Sequence, residues 1–139
     1  MGRVMASVRV ENKYGPAPMP PVMINALVDT GASHLVLPGA WRDKFGVFAE
    51  ERDDETETAT QDRAQVTLCG PARVRIDGFS EAHTDVLFLD MKPDRDGAYM
   101  PLLGYTVLEM CKAAVDLSSH RLIPVRAFDL RRASTSGGA

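Results

Sequence analysis

Apolar and polar residues alternate along several short stretches of the chain. Val4, Ala6, Val8 and Val10 alternate with Met5, Ser7, Arg9 and Glu11, which predicts a half-buried first strand. Pro16, Pro18, Pro20 and Pro21 then remove backbone donors and fix φ, so regular structure breaks into a loop. A second strand follows, with Val22, Ile24, Ala26 and Val28 on one face and Met23, Asn25 and Leu27 on the other. It ends at Asp29, and Gly31 lets the chain turn into a short third strand, Leu35-Val36-Leu37. Pro38 is expected to open a helical turn with Trp41 and Phe45 on one face, stopped by Gly46.

Beyond this turn the pattern becomes polar. Glu50-Glu51-Arg52-Asp53-Asp54-Glu55 reads as a solvated acidic loop, and its spacing is not that of a calcium loop. From Thr56 to Leu68 the composition suits a polar, two-sided hairpin with its tip at Gln61-Asp62-Arg63. Gly70-Pro71 reads as punctuation before a strand in which Ala72, Val74 and Ile76 alternate with Arg73, Arg75 and Asp77. The run Val86-Leu87-Phe88-Leu89 predicts a strand buried on both faces. Tyr99 to Leu103 reads as a short strand ending at Gly104, followed by a helix from Tyr105 to Lys112 with Val107, Leu108 and Cys111 on one side. Ala113 to Asp116 and Arg121 to Val125 predict a last hairpin, with Pro124 at an edge. The chain is therefore expected to be mainly β, with one or two short helices.

A length of 139 residues suits one domain with a sizeable core. That domain is expected to span residues 1–126. Residues 127–139 are expected to form a disordered tail, since from Arg131 onward the chain lacks apolar anchors. A net charge of −3 and a pI near 5.6 give no reason to expect nucleic acid or an anionic membrane as partner. Cys69 and Cys111 have no His or Cys neighbours at metal-ligand spacing, so neither a zinc site nor a disulfide framework is signalled. Buried free thiols, no metal or organic cofactor and a cytoplasmic location are the resulting expectations. No stretch approaches the length of a membrane span.

Chemistry concentrates at Asp29, a carboxylate on a strand end between two apolar runs. A hydrolysis that uses water as nucleophile requires a base to activate the water and an acid to protonate the bond that breaks. Two carboxylates sharing one proton do both, because their charges cannot both form cheaply at close range. The chain supplies only one suitable Asp: the rival Val115-Asp116-Leu117-Ser118-Ser119 lacks the Gly that permits the turn. A dyad therefore requires a second copy with Asp29 facing Asp29. The plainer alternative for Asp29 is a turn cap accepting nearby N–H groups, and Ser33 divides between capping and substrate contact. His34 lacks a His or Cys partner nearby in sequence, which favours a structural role. No base is placed by motif for a nucleophilic Ser or Cys, and no glycine-rich phosphate cradle surrounds Gly31.

Asp29-Thr30-Gly31-Ala32-Ser33 preceded by Ala26-Leu27-Val28, together with the distant Pro101-Leu102-Leu103-Gly104 and a short helix, resembles the retroviral-type (retropepsin-like, clan AA) aspartic proteases, in particular their bacterial single-domain relatives. The stretch from Leu108-Glu109 through Ala114-Val115-Asp116 to Arg121-Leu122 is similar to those relatives as well. The resemblance implies a closed antiparallel β-barrel that works as a homodimer on peptide or protein substrates. By position it makes Asp29 catalytic, with Thr30, Gly31 and Ala32 supporting the site. Thr30 would bond across the dimer and Gly31 would lie close to the substrate. Ser33, Gln61 and Asp62 would contact the substrate, the last two from a hairpin flap. Many relatives carry Gly at the flap tip, and Asp62-Arg63 departs from that. The implied activity is that of an aspartic endopeptidase; the alternative is an inactive dimer of the same fold that grips peptides as a binding or scaffold module.

Overall fold

The computed structural model describes residues 3–57 and 63–125. β1 (Met5–Glu11) and β2 (Val22–Val28) pair antiparallel, with Val8 opposite Ile24 and Ala6 opposite Ala26. Their alternation translates directly into burial. Ala6, Val8, Val10, Ile24 and Ala26 enter the core, while Met5, Arg9, Met23 and Asn25 face outward.

Four more strands complete a barrel. β3 (Leu35–Pro38) is buried at every position, paired in parallel with β6 (Glu81–Leu89) and antiparallel with β7 (Leu102–Leu103). β7 slots between β2 and β3, running parallel to the first and antiparallel to the second. β5 (Arg63–Ile76) lies along β6, and its second half pairs with β1. The six strands β1-β2-β7-β3-β6-β5 thus close on themselves. Inside sit Leu35, Leu37, Val74, Ile76, Val86, Phe88 and Leu103, each about 1.5–3 kcal/mol of transfer free energy when fully buried. Phe45, Phe48 and Phe88 pack mutually, with ring centroids 5.6 to 6.3 Å apart.

Asn12 closes one end of this core. Its buried side-chain amide donates to the carbonyl oxygens of Phe45 and Val47, both at 2.8 Å, and so clips the loop after β1 to the segment before β4 (Glu50–Glu57).

Several expectations require correction. The acidic run is not a loop: it is β4, an antiparallel partner of the first half of β5. Glu50 to Glu55 are exposed, so no apolar face marks the strand, and charge suits an edge that must not attract other strands. Gly70-Pro71 does not end a strand either. β5 runs through it, and the irregularity is absorbed as a bulge between Cys69 and Ala72. The turn after Pro38 is a 3-10 helix, Gly39–Lys44, ended by Phe45 and by Gly46 at φ 69°. Pro38 belongs to β3. β7 has only two residues, and the helix α1 is Tyr105–Met110, shorter than expected. The polar hairpin exists as β4 and β5, with Glu57 opposite Arg63. The expected tip at Gln61 and Asp62 lies outside the described residues, as does the expected tail.

Among the described residues β8 (Ala113–Asp116) and β9 (Arg121–Pro124) pair only with each other, forming the expected final hairpin. Asp116 is its turn former: the carboxylate accepts from the Ser118 hydroxyl at 2.7 Å, the Ser119 hydroxyl at 2.7 Å and the Ser118 N–H at 3.0 Å. These bonds, led by the Ser118 hydroxyl, lower its pKa from an ordinary 3.8 to about 2. A carboxyl depressed in the folded state contributes stability above its unfolded value, and that contribution is lost as pH falls through the folded one. The turn is therefore expected to loosen between about pH 4 and pH 2. Amide exchange at Ser118 should show this, and Asp116→Asn should flatten the dependence.

Candidate active site

The site is built where β7 passes behind the loop joining β2 to β3. Asp29 follows the last residue of β2, and its N–H donates to the Leu103 carbonyl oxygen at 3.0 Å. The Asp29 carbonyl accepts from the Ala32 N–H at 3.1 Å, which closes the turn. The far side of the loop is fixed by three further bonds. The N–H groups of Gly104, Tyr105 and Thr106 donate to the carbonyls of His34, Ala32 and Ser33 at 2.9, 2.9 and 3.1 Å. The loop's inner acceptors are thus committed to the start of α1, and Asp29 is held at both its own amide and its own carbonyl.

Gly104 makes this packing possible. A Cβ there would overlap the His34 carbonyl oxygen and would lie 2.6 Å from the Ala32 oxygen and 2.7 Å from the His34 nitrogen. Its φ of −84° suits any residue, so space alone demands glycine.

The Asp29 carboxylate is half-buried. Its Oδ1 accepts the Gly31 N–H at 2.9 Å, whereas Oδ2 has no hydrogen-bond partner among the described residues. Asp29 therefore caps its own loop with one oxygen, and the other is left unbonded among the described residues.

The remaining site residues separate into those brought together and those not described. Thr30 and Gly31 are exposed beside Asp29, and Ala32 is half-buried. Thr30 also lines a cavity of about 470 Å³ with Val4, Leu27, Val28, Val115 and Leu117. Ser33 is exposed at the end of the loop, and its hydroxyl lies 2.7 Å from Nδ1 of the half-buried His34. That pairing escapes sequence reasoning, which looks for a His partner further away. Gln61 and Asp62 are outside the described residues, so the site as described consists of the Asp29 to His34 loop and the β7–α1 backbone.

Other chemistries find little support. Among the described residues no group of three or more His, Cys, Asp or Glu side chains could hold a metal ion. Cys69 and Cys111 are free and buried, and burial pushes both thiols up, away from the reactive thiolate. Asp116 has both carboxylate oxygens engaged in its turn. No helix among the described residues is long and apolar enough to cross a membrane.

A closed six-stranded barrel with one Asp-Thr-Gly loop braced by a Leu-Leu-Gly strand defines the retropepsin type of aspartic protease. The sequence model of the family described as "Aspartyl protease" matches residues 8–107, and the chain belongs to that family. EIAV protease, solved in complex with the inhibitor HBY-793, is similar in fold. The TM-score is 0.58 at 20% identity over 84% of this chain and 94% of that one. No curated protein sequence matches the chain.

Proposed function

We propose that the protein is an aspartic endopeptidase that hydrolyses peptide bonds with a water activated by an Asp29/Asp29′ dyad formed across a homodimer. The observation that carries this reading is the Asp29 carboxylate itself, fixed through its backbone and one oxygen, with the second oxygen unbonded among the described residues. One ionised and one protonated carboxyl would share a water. The ionised one takes its proton as the water attacks the scissile carbonyl, and the protonated one donates to the carbonyl oxygen and later to the leaving amine. No cofactor enters this scheme.

A place for the second copy is suggested by the surface next to the loop. Leu117 is 78% exposed at the tip of the β8–β9 hairpin and borders the same cavity as Thr30. Among the described residues β8 and β9 each keep an unpaired edge. An apolar knob and two free edges beside an incomplete site fit an obligate interface.

If the site exists only in the dimer, specific activity should fall on dilution through the dimer dissociation constant, in direct proportion to total protein concentration well below it. Peptide cleavage between pH 4 and 7, read against sedimentation measurements at the same concentrations, tests this. A monomer with undiminished specific activity would refute the dyad.

A further inference from the structure

The segment that joins β1 to β2 takes no part in the site described above. Each of Pro16, Pro18, Pro20 and Pro21 fixes its own φ, and Ala17, Met19 and Pro20, each standing before a proline, are held out of the helical region. The chain bends through Ala17 and from there to Pro21 forms no helix, strand or turn. Residues so restricted favour polyproline II, whose three residues per turn put Pro18 and Pro21 on one edge, Ala17 and Pro20 on a second and Met19 on the third. Burial follows that period. Ala17, Pro18, Pro20 and Pro21 are exposed, whereas Met19 is half-buried, and its Cγ would lie 2.8 Å from a Cβ placed on Gly46. One edge therefore rests on the barrel and two face outward. The N–H groups of Ala17 and Met19, the only donors between Pro16 and Pro21, make no hydrogen bond among the described residues.

The ridge is held at both ends. Before it, the Asn12 amide donates to the Phe45 and Val47 carbonyls, and the Tyr14 hydroxyl lies 2.7 Å from His83 Nδ1. After it, Val22 pairs with Val10. An extended ridge fixed in this way has little conformational freedom left to lose on binding.

We propose that the ridge from Ala17 to Pro21 is a docking surface for a second protein with an aromatic-lined groove, of the kind by which SH3 domains read proline-rich segments. Ala17-Pro18 and Pro20-Pro21 fill two adjacent slots of the groove, and Met19 stays on the barrel. Arg9 gives the surface a charge. It stands across from Met23, two positions after Pro21, exposed on the same outward face and without an ion pair among the described residues. Its neighbour on β5 is Arg75, a like charge directly opposite, which is unfavourable. Acidic side chains at the rim of the groove relieve that repulsion, so the partner is acidic there. The seven residues of β2, spanning about 23 Å, separate the ridge from Asp29, and the docking stands or falls independently of the proteolytic reading.

The test titrates a set of recombinant SH3 domains with acidic groove rims into the nitrogen-15-labelled full chain. At least one should bind, shifting the Ala17 and Met19 amides and leaving those of Gly31 and Ala32 in place. Pro18→Ala and Pro21→Ala should each weaken that binding about tenfold, the scale of losing about two buried methylene groups. Pro16→Ala, which lies before the bend, should leave it unchanged, and Arg9→Glu should weaken it most at low salt. A synthetic peptide of residues 14–24 should displace the full chain from the same domain, and the peptide carrying Pro18→Ala and Pro21→Ala should not, a readout that does not depend on the folding of any variant. Binding by none of the domains overturns the proposal. So does binding that survives the combined Pro18→Ala and Pro21→Ala change, or shifts that leave Ala17 and Met19 unmoved.

Discussion

Asp29→Asn should lower kcat by about a hundredfold to ten-thousandfold while leaving the fold and the dimer in place, the range that loss of a general acid–base group produces. Asn is close to Asp in size, and its carbonyl oxygen still accepts the Gly31 N–H that Oδ1 accepts at 2.9 Å. The amide, however, neither gives nor takes a proton near neutral pH, so the exchange of one proton between two carboxyls cannot occur. Substrate affinity should change little. Asp29→Ala removes the cap too, and should cost roughly 1 kcal/mol more in stability than Asn, the usual worth of such a hydrogen bond. Turnover numbers, denaturant midpoints and sedimentation of the three proteins separate chemistry from folding. Retained turnover in the Asn variant would show that the carboxylate is not the catalyst. If the unaltered dimer cleaves nothing across pH 4 to 7 and binds peptide equally well with either side chain, the fold serves as a peptide-gripping module instead.

The two halves of the site differed in how far the sequence revealed them. Asp29 was legible because β2 alternates cleanly and ends on a charge before Gly31, so strand, turn and carboxylate are consecutive in the chain. The brace behind it was visible as an apolar stretch ending in Gly104 and, through the family resemblance, as the distant Pro101-Leu102-Leu103-Gly104. That this stretch lies between β2 and β3 is a fact of long-range pairing, to which local periodicity is blind. β4 was misread for a related reason: its inner edge is paired with β5, but with exposed charges along it no period of two marks the strand. At Gly70-Pro71 the residues that usually break a strand are accommodated by a bulge, which only the continuous pairing with β6 reveals. The turn at Asp116 was separable from Asp29 by its missing glycine, and its three hydrogen bonds from Ser118 and Ser119 supply the physical reason.

Gly104→Ala should damage both stability and turnover, because its added methyl would meet three backbone atoms closer than 3 Å. The added carbon would collide with the His34 and Ala32 carbonyl oxygens and the His34 nitrogen, all backbone atoms that cannot swing aside as a side chain would. Relief requires β7 and α1 to move away from the Asp29 loop, stretching the bonds from Gly104, Tyr105 and Thr106 and the one between Asp29 and Leu103. Overpacking of this kind costs about 1–3 kcal/mol, and each bond lost adds about 0.5–1.5 kcal/mol, so a loss of roughly 2–4 kcal/mol is expected. Activity should fall further than stability, because a displacement of about 1 Å at a catalytic group can cost about a hundredfold in rate. Gly39→Ala is the control. Its added carbon would approach nothing closer than the Leu89 oxygen at 3.6 Å, an ordinary contact, and should change stability by less than about 0.5 kcal/mol. Denaturant titration should separate the two variants, and amide exchange at Asp29 and Tyr105 should accelerate only in Gly104→Ala. Equal stability and equal turnover in both would mean that the close passage of β7 does not hold the Asp29 loop in place.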